Sequence, residues 1–188
     1  MPFLSLEFVS TVRADRSGPV DTLSSVGGMT AWAREHAAEL GLDESFTASE
    51  ELRRETVRLR QAVRALFARA VTPEPPSRAD AADLPAFEEA LALVNATALA
   101  APTAPQLRWT GAPTLVTAST GDESARLRGR LAAGAAEFLA GPERALLRTC
   151  QAPRCVLYFV KEHPRQEWCS TACGNRARAA RHYREHRK

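Results

Sequence analysis

Apolar residues recur along most of the chain at intervals of three and four, the spacing of one helical face. Residues 20 to 40 carry Met29, Trp32, Ala33, His36 and Leu40 at that spacing, and Gly41 supplies a stop. Thr47-Ala48-Ser49-Glu50 has the form of a capping box. It opens a long predicted helix to about Val71, with Leu52, Thr56, Leu59, Val63, Leu66, Phe67 and Ala70 inward. The arginines and glutamates on its other face read as a solvated surface. The proline-rich run from Thr72 to Asp80 interrupts the pattern as a loop. A helix from about Leu84 to Leu99 follows, with Phe87, Leu91 and Val94 on one face. Another runs from about Asp122 to Ala140, with Leu127, Leu131, Ala135, Phe138 and Leu139 inward, and Gly141-Pro142 ends it. Elsewhere the period is two. Leu4, Leu6 and Phe8 alternate with Ser5 and Glu7, which fits a short strand, with a helix as the alternative. Leu107, Trp109, Leu115 and Val116, flanking Thr110-Gly111-Ala112-Pro113, suggest two more short strands. The expectation for residues 1–143 is therefore a mostly helical α+β domain with a small antiparallel sheet.

The pattern changes after residue 143. Cys150-Gln-Ala-Pro-Arg-Cys155 reads as a tight turn, Val156 to Val160 as a strand, Lys161 to Gln166 as a turn, and Ser170 to His186 as a helix. The four cysteines of the chain, Cys150, Cys155, Cys169 and Cys173, all lie in this stretch. Their spacing is Cys-x4-Cys, thirteen residues, then Cys-x3-Cys. A short turn aims two thiolates inward, and a helix start aims two more, because positions i and i+4 share a face. The positive end of the helix dipole also favours thiolates. Tetrahedral zinc takes four such ligands, and a closed four-thiolate site makes it a structural metal. Two disulfides or unliganded buried thiols are the alternatives, and disulfides are disfavoured in a reducing cytoplasm. The order of knuckle, hairpin and helix is that of a treble-clef-like finger over residues 144–188, holding one Zn2+.

Charge sharpens the division. Residues 144–188 carry eleven Lys or Arg against three Asp or Glu, a net of +8. Residues 1–143 carry fourteen against nineteen, a net of −5. The formal charge of +3 thus averages an acidic body and a basic tail. At 45% hydrophobic and 25% charged residues, extended disorder is not expected. No apolar run has the length of a membrane span, and Met1-Pro2-Phe3-Leu4-Ser5 lacks the features of a secretory leader. A cytoplasmic protein, nucleoid-associated when bound to DNA, is the expectation.

The segment from Leu146 to Lys188 resembles the CGNR zinc finger. The likeness rests on the four cysteines, Pro153 before Arg154-Cys155, Phe159-Val160, Trp168-Cys169-Ser170, and Cys173-Gly174-Asn175-Arg176. The family commonly has an aspartate after the Phe-Val pair and a Ser-Arg pair in the hairpin turn. Lys161 and Glu162-His163-Pro164 stand there in this chain. The first part is similar to the ABATE domain that usually precedes this finger, through Phe8-Val9-Ser10-Thr11-Val12, Asp21-Thr22-Leu23 leading to Trp32, and Leu107-Arg108-Trp109. The family more often has asparagine where Ser10 stands. The resemblance implies a stress-related bacterial transcription regulator, with a nucleic-acid-binding finger and a helical sensory or interaction domain.

The residues of the last helix argue for nucleic acid on their own. Wound at about 100° per residue, Arg176, Arg181, Arg184, Arg187 and Lys188 share one broad side, flanked by Arg178. Ala172, Ala179, Tyr183 and His186 gather opposite, as an expected packing stripe. The planar arginine fork suits phosphate oxygens of duplex DNA. If about five phosphates are neutralised, log affinity falls with log salt at a slope of about −4.5. The alternatives are an acidic protein partner or the acidic body of the same molecule. Gly174 and Asn175 are expected to shape the knuckle, and Trp168 to cover it. For the body, a pocket formed by Phe8, Trp32 and Trp109 is the expected place for a small-molecule effector. A second copy of the chain is a further candidate partner, although no heptad marks an interface. The chain has no Gly-rich phosphate loop, no HExxH and no G-x-S-x-G, so no enzyme is expected.

Overall fold

The computed structural model of the chain describes residues 3–14, 18–80 and 84–186. The chain opens with helix α1 (Leu4–Val9), not the expected strand. Its alternating apolar residues fit both periods, and packing selects the helical one. Ser5, Phe8 and Val9, at i, i+3 and i+4, are buried against the rest of the body. A two-stranded antiparallel ribbon follows, β1 (Val12–Ala14) with β2 (Pro19–Asp21). The apolar stretch of residues 20 to 40 divides into a 3-10 turn at Thr22–Ser24, helix α2 (Val26–Glu35) and helix α3 (Ala37–Leu40). Ser25 caps α2 by accepting from the Gly28 amide. His36 breaks the run, and Gly41, at φ 67°, ends it in the left-handed region where glycine carries no Cβ penalty.

Helix α4 (Glu50–Ala70) is the axis of the body. Its cap is Ser49, which accepts from the Leu52 amide, rather than Thr47. The expected capping box does not close, because the Glu50 carboxylate turns to Arg53 at 2.6 Å. Helix α5 (Phe87–Ala100) and helix α6 (Glu123–Ala140) pack against α4 and each other. Between them stands a hairpin of eight-residue strands, β3 (Thr103–Thr110) and β4 (Ala112–Ser119), turning at Gly111 with φ 82°. The core comprises Phe8, Leu23, Met29, Leu40, Leu59, Phe67, Leu127 and Leu131, all fully buried.

Among the described residues the expected small sheet is three separate two-stranded sheets. The third joins the two parts of the chain: β5 (Leu147–Thr149) pairs antiparallel with β6 (Tyr158–Val160). Leu147 and Tyr158 lie inside the same hydrophobic cluster as the body helices. The knuckle between these strands and helix α7 (Thr171–Glu185) surround a second, small cluster of Cys150, Ala152, Cys155, Phe159 and Cys173. Among the described residues no helix is long and apolar enough to cross a membrane.

Two residues of the supposedly solvated face of α4 are inside. Arg60 and Arg64 are each only 3% exposed. Burying a guanidinium is costly unless its donors are matched. Arg60 forks onto Asp21 at 2.6 and 2.7 Å and reaches Thr11. Arg64 pairs with Asp80 and also donates to the carbonyls of Val9 and Val156 and to Ser77 Oγ.

Candidate metal centre and basic helix

The metal centre is assembled from two pieces of backbone. The first is the knuckle after β5. The Cys155 amide donates to the Ala152 carbonyl and the Cys150 amide to the Leu157 carbonyl, so the chain doubles back over five residues. Arg154 takes φ 63°, a left-handed conformation that non-glycine residues seldom hold. The turn brings Cys150 and Cys155 to the same side. The second piece is the start of α7. Cys169 lies just before the N-cap Ser170, whose hydroxyl accepts from the Cys173 amide at 3.2 Å. That cap orients Cys173 beside Cys169.

The four Sγ atoms lie within 4.8 Å of one another. Cys155 and Cys169 are 3.7 Å apart, and Cys169 and Cys173 3.4 Å. Zinc–sulfur bonds of about 2.3 Å require tetrahedral edges of about 3.8 Å, so the donor set fits the ion. The cysteines are free of disulfides. Hydrogen bonds from Cys155 and then Cys169 hold the Cys150 thiol far below its ordinary value. The bond to Cys150 pushes Cys155 up to about 11, and the bonds to Cys150 and Cys155 push Cys169 upward as well. The cluster by itself thus favours one thiolate held by neighbouring thiols. Four thiolates at these distances require a cation between them. Bound zinc supplies a crosslink between knuckle and helix. With four sulfur ligands it has no open coordination position, so its role is structural.

Three neighbours complete the centre. Trp168 packs against the small cluster, as expected. A Cβ on Gly174 would lie 3.1 Å from Trp168 Cδ1, so the glycine lets the indole close over the helix start. Asn175 Oδ1 accepts from Arg178 at 2.6 Å instead of bonding the knuckle. Arg176, expected to meet phosphate, donates to Cys173 Sγ at 2.9 Å. It is a ligand-orienting group, and such partners raise metal affinity.

The orientation of α7 inverts the expected faces. The expected packing stripe of Ala172, Ala179, Tyr183 and His186 is exposed. The side carrying Cys173 is the one that packs, and Ala177 and Ala180 on that side are half-buried. Arg181 and Arg184 share this side but lie further along, where the finger has ended, so both are exposed. Among the described residues, no arginine of α7 forms an ion pair. Arg187 and Lys188 lie outside the described residues.

The effector pocket is a correction. Phe8 and Trp32 are buried and pack on each other with ring centroids 5.8 Å apart. Their side chains fill the core where the pocket was expected. Trp109 stands apart on the hairpin, 70% exposed. A different concavity exists: a cleft of about 640 Å³ between α1 and the finger, lined by Phe3, Leu6, Glu7, Phe159, Lys161 and Gln166 among others.

A group of residues that the sequence reading missed holds the finger to the body. Tyr158 Oη donates to Asp80 Oδ2 at 2.7 Å, and Ser77 Oγ to the Val156 carbonyl at 2.7 Å. Arg78 donates to the knuckle carbonyls of Ala152 and Gln151, and Thr149 Oγ1 to the Pro75 carbonyl. The proline-rich loop is therefore a clasp over the metal knuckle.

Comparison with known proteins agrees with this construction. Residues 146–186 match the family model of the CGNR zinc finger. Residues 4–142 match the ABATE model, which is described as a "Putative stress-induced transcription regulator". No curated protein matches the chain. With its body covered by the first model and its zinc-binding finger by the second, the chain belongs to the ABATE family.

Proposed function

We propose that the protein is a DNA-binding transcriptional regulator and not an enzyme, with zinc fixing the origin of α7 and the distal part of that helix meeting phosphates. One observation carries this reading. The helix is pinned at its start by Cys169, Ser170 and Cys173, then runs beyond the finger with Arg181 and Arg184 exposed and without ion pairs. A rigid rod with unneutralised guanidinium groups fits a phosphate backbone. Arg178 joins them, its bond to Asn175 being an exposed one. Arg176 does not, since it serves the metal ligand. Among the described residues the acidic body offers these arginines no ion pair, which supports an external polyanion over intramolecular docking. The cleft between α1 and the finger borders Cys169, and an effector seated there would act at the base of the basic helix.

Fluorescence anisotropy with duplex DNA across a salt series tests the reading. The full chain is expected to bind with a log–log slope of about −4.5, and replacing both Arg181 and Arg184 with Ala to reduce it by about 1.8. Arg176→Ala is expected to leave the slope unchanged while weakening zinc retention by about 10-fold or more. Binding that is absent or indifferent to salt, with capture of an acidic protein instead, overturns the proposal.

A further inference from the structure

The hairpin β3–β4 is anomalous for an element of a folded monomer. Every residue of β3 is exposed, and β4 is half-buried only near its base, at Val116, Ala118 and Ser119. Among the described residues it shares no substantial packing with any other element. An isolated two-stranded hairpin is marginal in water. Its large apolar side chains also point the wrong way. Val116 and Ala118 lean toward the body, which puts Leu115 on the opposite, outer face by the alternation of a strand. The register pairs Leu107 with Leu115 and Trp109 with Pro113 on that outer face. Leu107 is 65%, Trp109 70% and Leu115 75% exposed. Monomeric proteins rarely leave contiguous apolar patches of this kind uncovered.

Helix α5 repeats the anomaly. It is apolar nearly all round, a composition that belongs to a covered helix. Yet only Ala90 and Val94 are fully buried. Phe87, Leu91 and Leu99, on one i, i+4 row, face solvent, and the row ends four residues before the hairpin begins.

We propose that the outer face of β3–β4, with the adjoining α5 row, is the interface through which two copies of this chain form a two-fold dimer. Charge selects a second copy over a different partner. Between Thr103 and Ser119 the only charged side chain is Arg108, and the alternation sends it to the other face. The hairpin face, without charge, has no electrostatic complement to seek and is complementary to itself, and charges of both signs, Glu88, Glu89 and the Arg69 stacked on Phe87 at 5.8 Å, border only the start of the α5 row. A two-fold axis brings each patch onto its own copy, which is the requirement of an isologous interface. Size agrees. Strands of eight residues span about 27 Å, and a helix of fourteen about 21 Å. At about 10 Å width each, the flat footprint is about 500 Å². Side-chain relief raises the accessible area toward the ~800 Å² per partner of a standard interface. This inference is independent of DNA binding.

The test is sedimentation velocity of the zinc-loaded full chain over a wide concentration range, beside the Leu107→Glu/Leu115→Glu variant and Trp109→Ala. The wild type is expected to sediment as a dimer of about twice 20.5 kDa. The double variant is expected to raise the dimer Kd by about 100-fold or more, and Trp109→Ala by about 10-fold or more. Both variants are expected to keep the circular dichroism and zinc content of the wild type, since neither position is packed within the chain. A wild type that stays monomeric at all concentrations overturns the proposal. So does a dimer that both variants leave intact.

Discussion

Tyr158→Phe isolates the contact between finger and body. The substitution keeps the ring, which packs edge-on against Phe67 at 5.5 Å, and removes only the hydroxyl. That hydroxyl donates to the buried Asp80 carboxylate at 2.7 Å. A buried hydrogen bond to a charged acceptor is worth about 1.5–3 kcal/mol. Asp80 keeps Arg64, so no charge is stranded, and about 2 kcal/mol is the expected loss near pH 8. In a chain of this length that lowers Tm by about 4–8 °C. The pH dependence gives a second readout. Burial, and then the Asp80 charge, pushes the Tyr158 hydroxyl upward from its ordinary value. A raised pKa stabilises the fold fully below the unfolded value of about 10. Above it the unfolded chain releases the proton while the folded chain retains it, and the contribution falls by about 1.4 kcal/mol per pH unit. The gap between wild type and Tyr158→Phe should therefore shrink from about 2 kcal/mol at pH 8 to about 0.6 kcal/mol at pH 11. Urea unfolding at the two pH values measures it. Tyrosinate absorbance supplies a check: of the two tyrosines, one should withhold its proton until the chain unfolds, and the variant should lose that difference. A gap under about 0.5 kcal/mol at pH 8, or one that stays constant to pH 11, would refute the reasoning.

Zinc removal is expected to weaken the body as well as the finger. The knuckle receives hydrogen bonds from Arg64, Ser77 and Arg78, and losing them costs about 3 kcal/mol, or about 6–12 °C in Tm. Calorimetry of the chelated protein showing an unshifted body transition would contradict this. Two adjacent glycines of α2 should respond in opposite directions. A Cβ on Gly28 would clash with the Thr22 carbonyl oxygen, so Gly28→Ala should destabilise by more than about 2 kcal/mol. Gly27 has nothing within 4 Å, so Gly27→Ala should stabilise by about 0.5–1 kcal/mol through helix propensity. Chemical denaturation of the two variants decides, and equal effects would count against both.

The metal site was legible because its chemistry is local. Cys-x4-Cys and Cys-x3-Cys each fix two thiols within one turn, and the N-cap Ser170 stands between the last pair. The long helices were legible for the same reason, since their inward rows recur at fixed intervals. Ser25 and Asp122 cap their helices through local hydrogen bonds. What failed depends on distant partners. Leu4 to Val9 fits two periods, and only the surface it meets decides between them. Arg60 and Arg64 look solvated by residue type, yet they continue the i, i+4 row of Leu52 and Thr56. Position on the wheel therefore predicted burial better than polarity did. Their partners, Asp21 and Asp80, lie 39 and 16 residues away, beyond the reach of any local pattern. The face of α7 was misjudged because alanine and tyrosine suggest packing. The direction of that helix is set by Cys173, and the thiol outranks any apolar stripe.

The division between body and finger that charge, cysteine spacing and family boundaries all mark is therefore not a mechanical division. Arg64 ties the two together with one planar group. Nη1 takes the carbonyl of Val9 at the end of α1, while Nη2 takes Ser77 and the carbonyl of Val156 next to a metal ligand. A guanidinium is rigid, so its donors cannot move independently. Displacement of α1 must be felt either as a lost buried hydrogen bond or as a shift of the knuckle. The cleft beside Cys169 is walled by that same α1 on one side and by β6 on the other. A molecule wedged there would press on both ends of the Arg64 bridge. The knuckle and the start of α7 share one metal, so the distal arginines would be carried with them. On the proposed function, a signal at the cleft would reach the distal arginines without a hinge between domains. Such a signal would pass through one buried cation, one carboxylate and one tyrosine whose hydrogen bonds span the boundary.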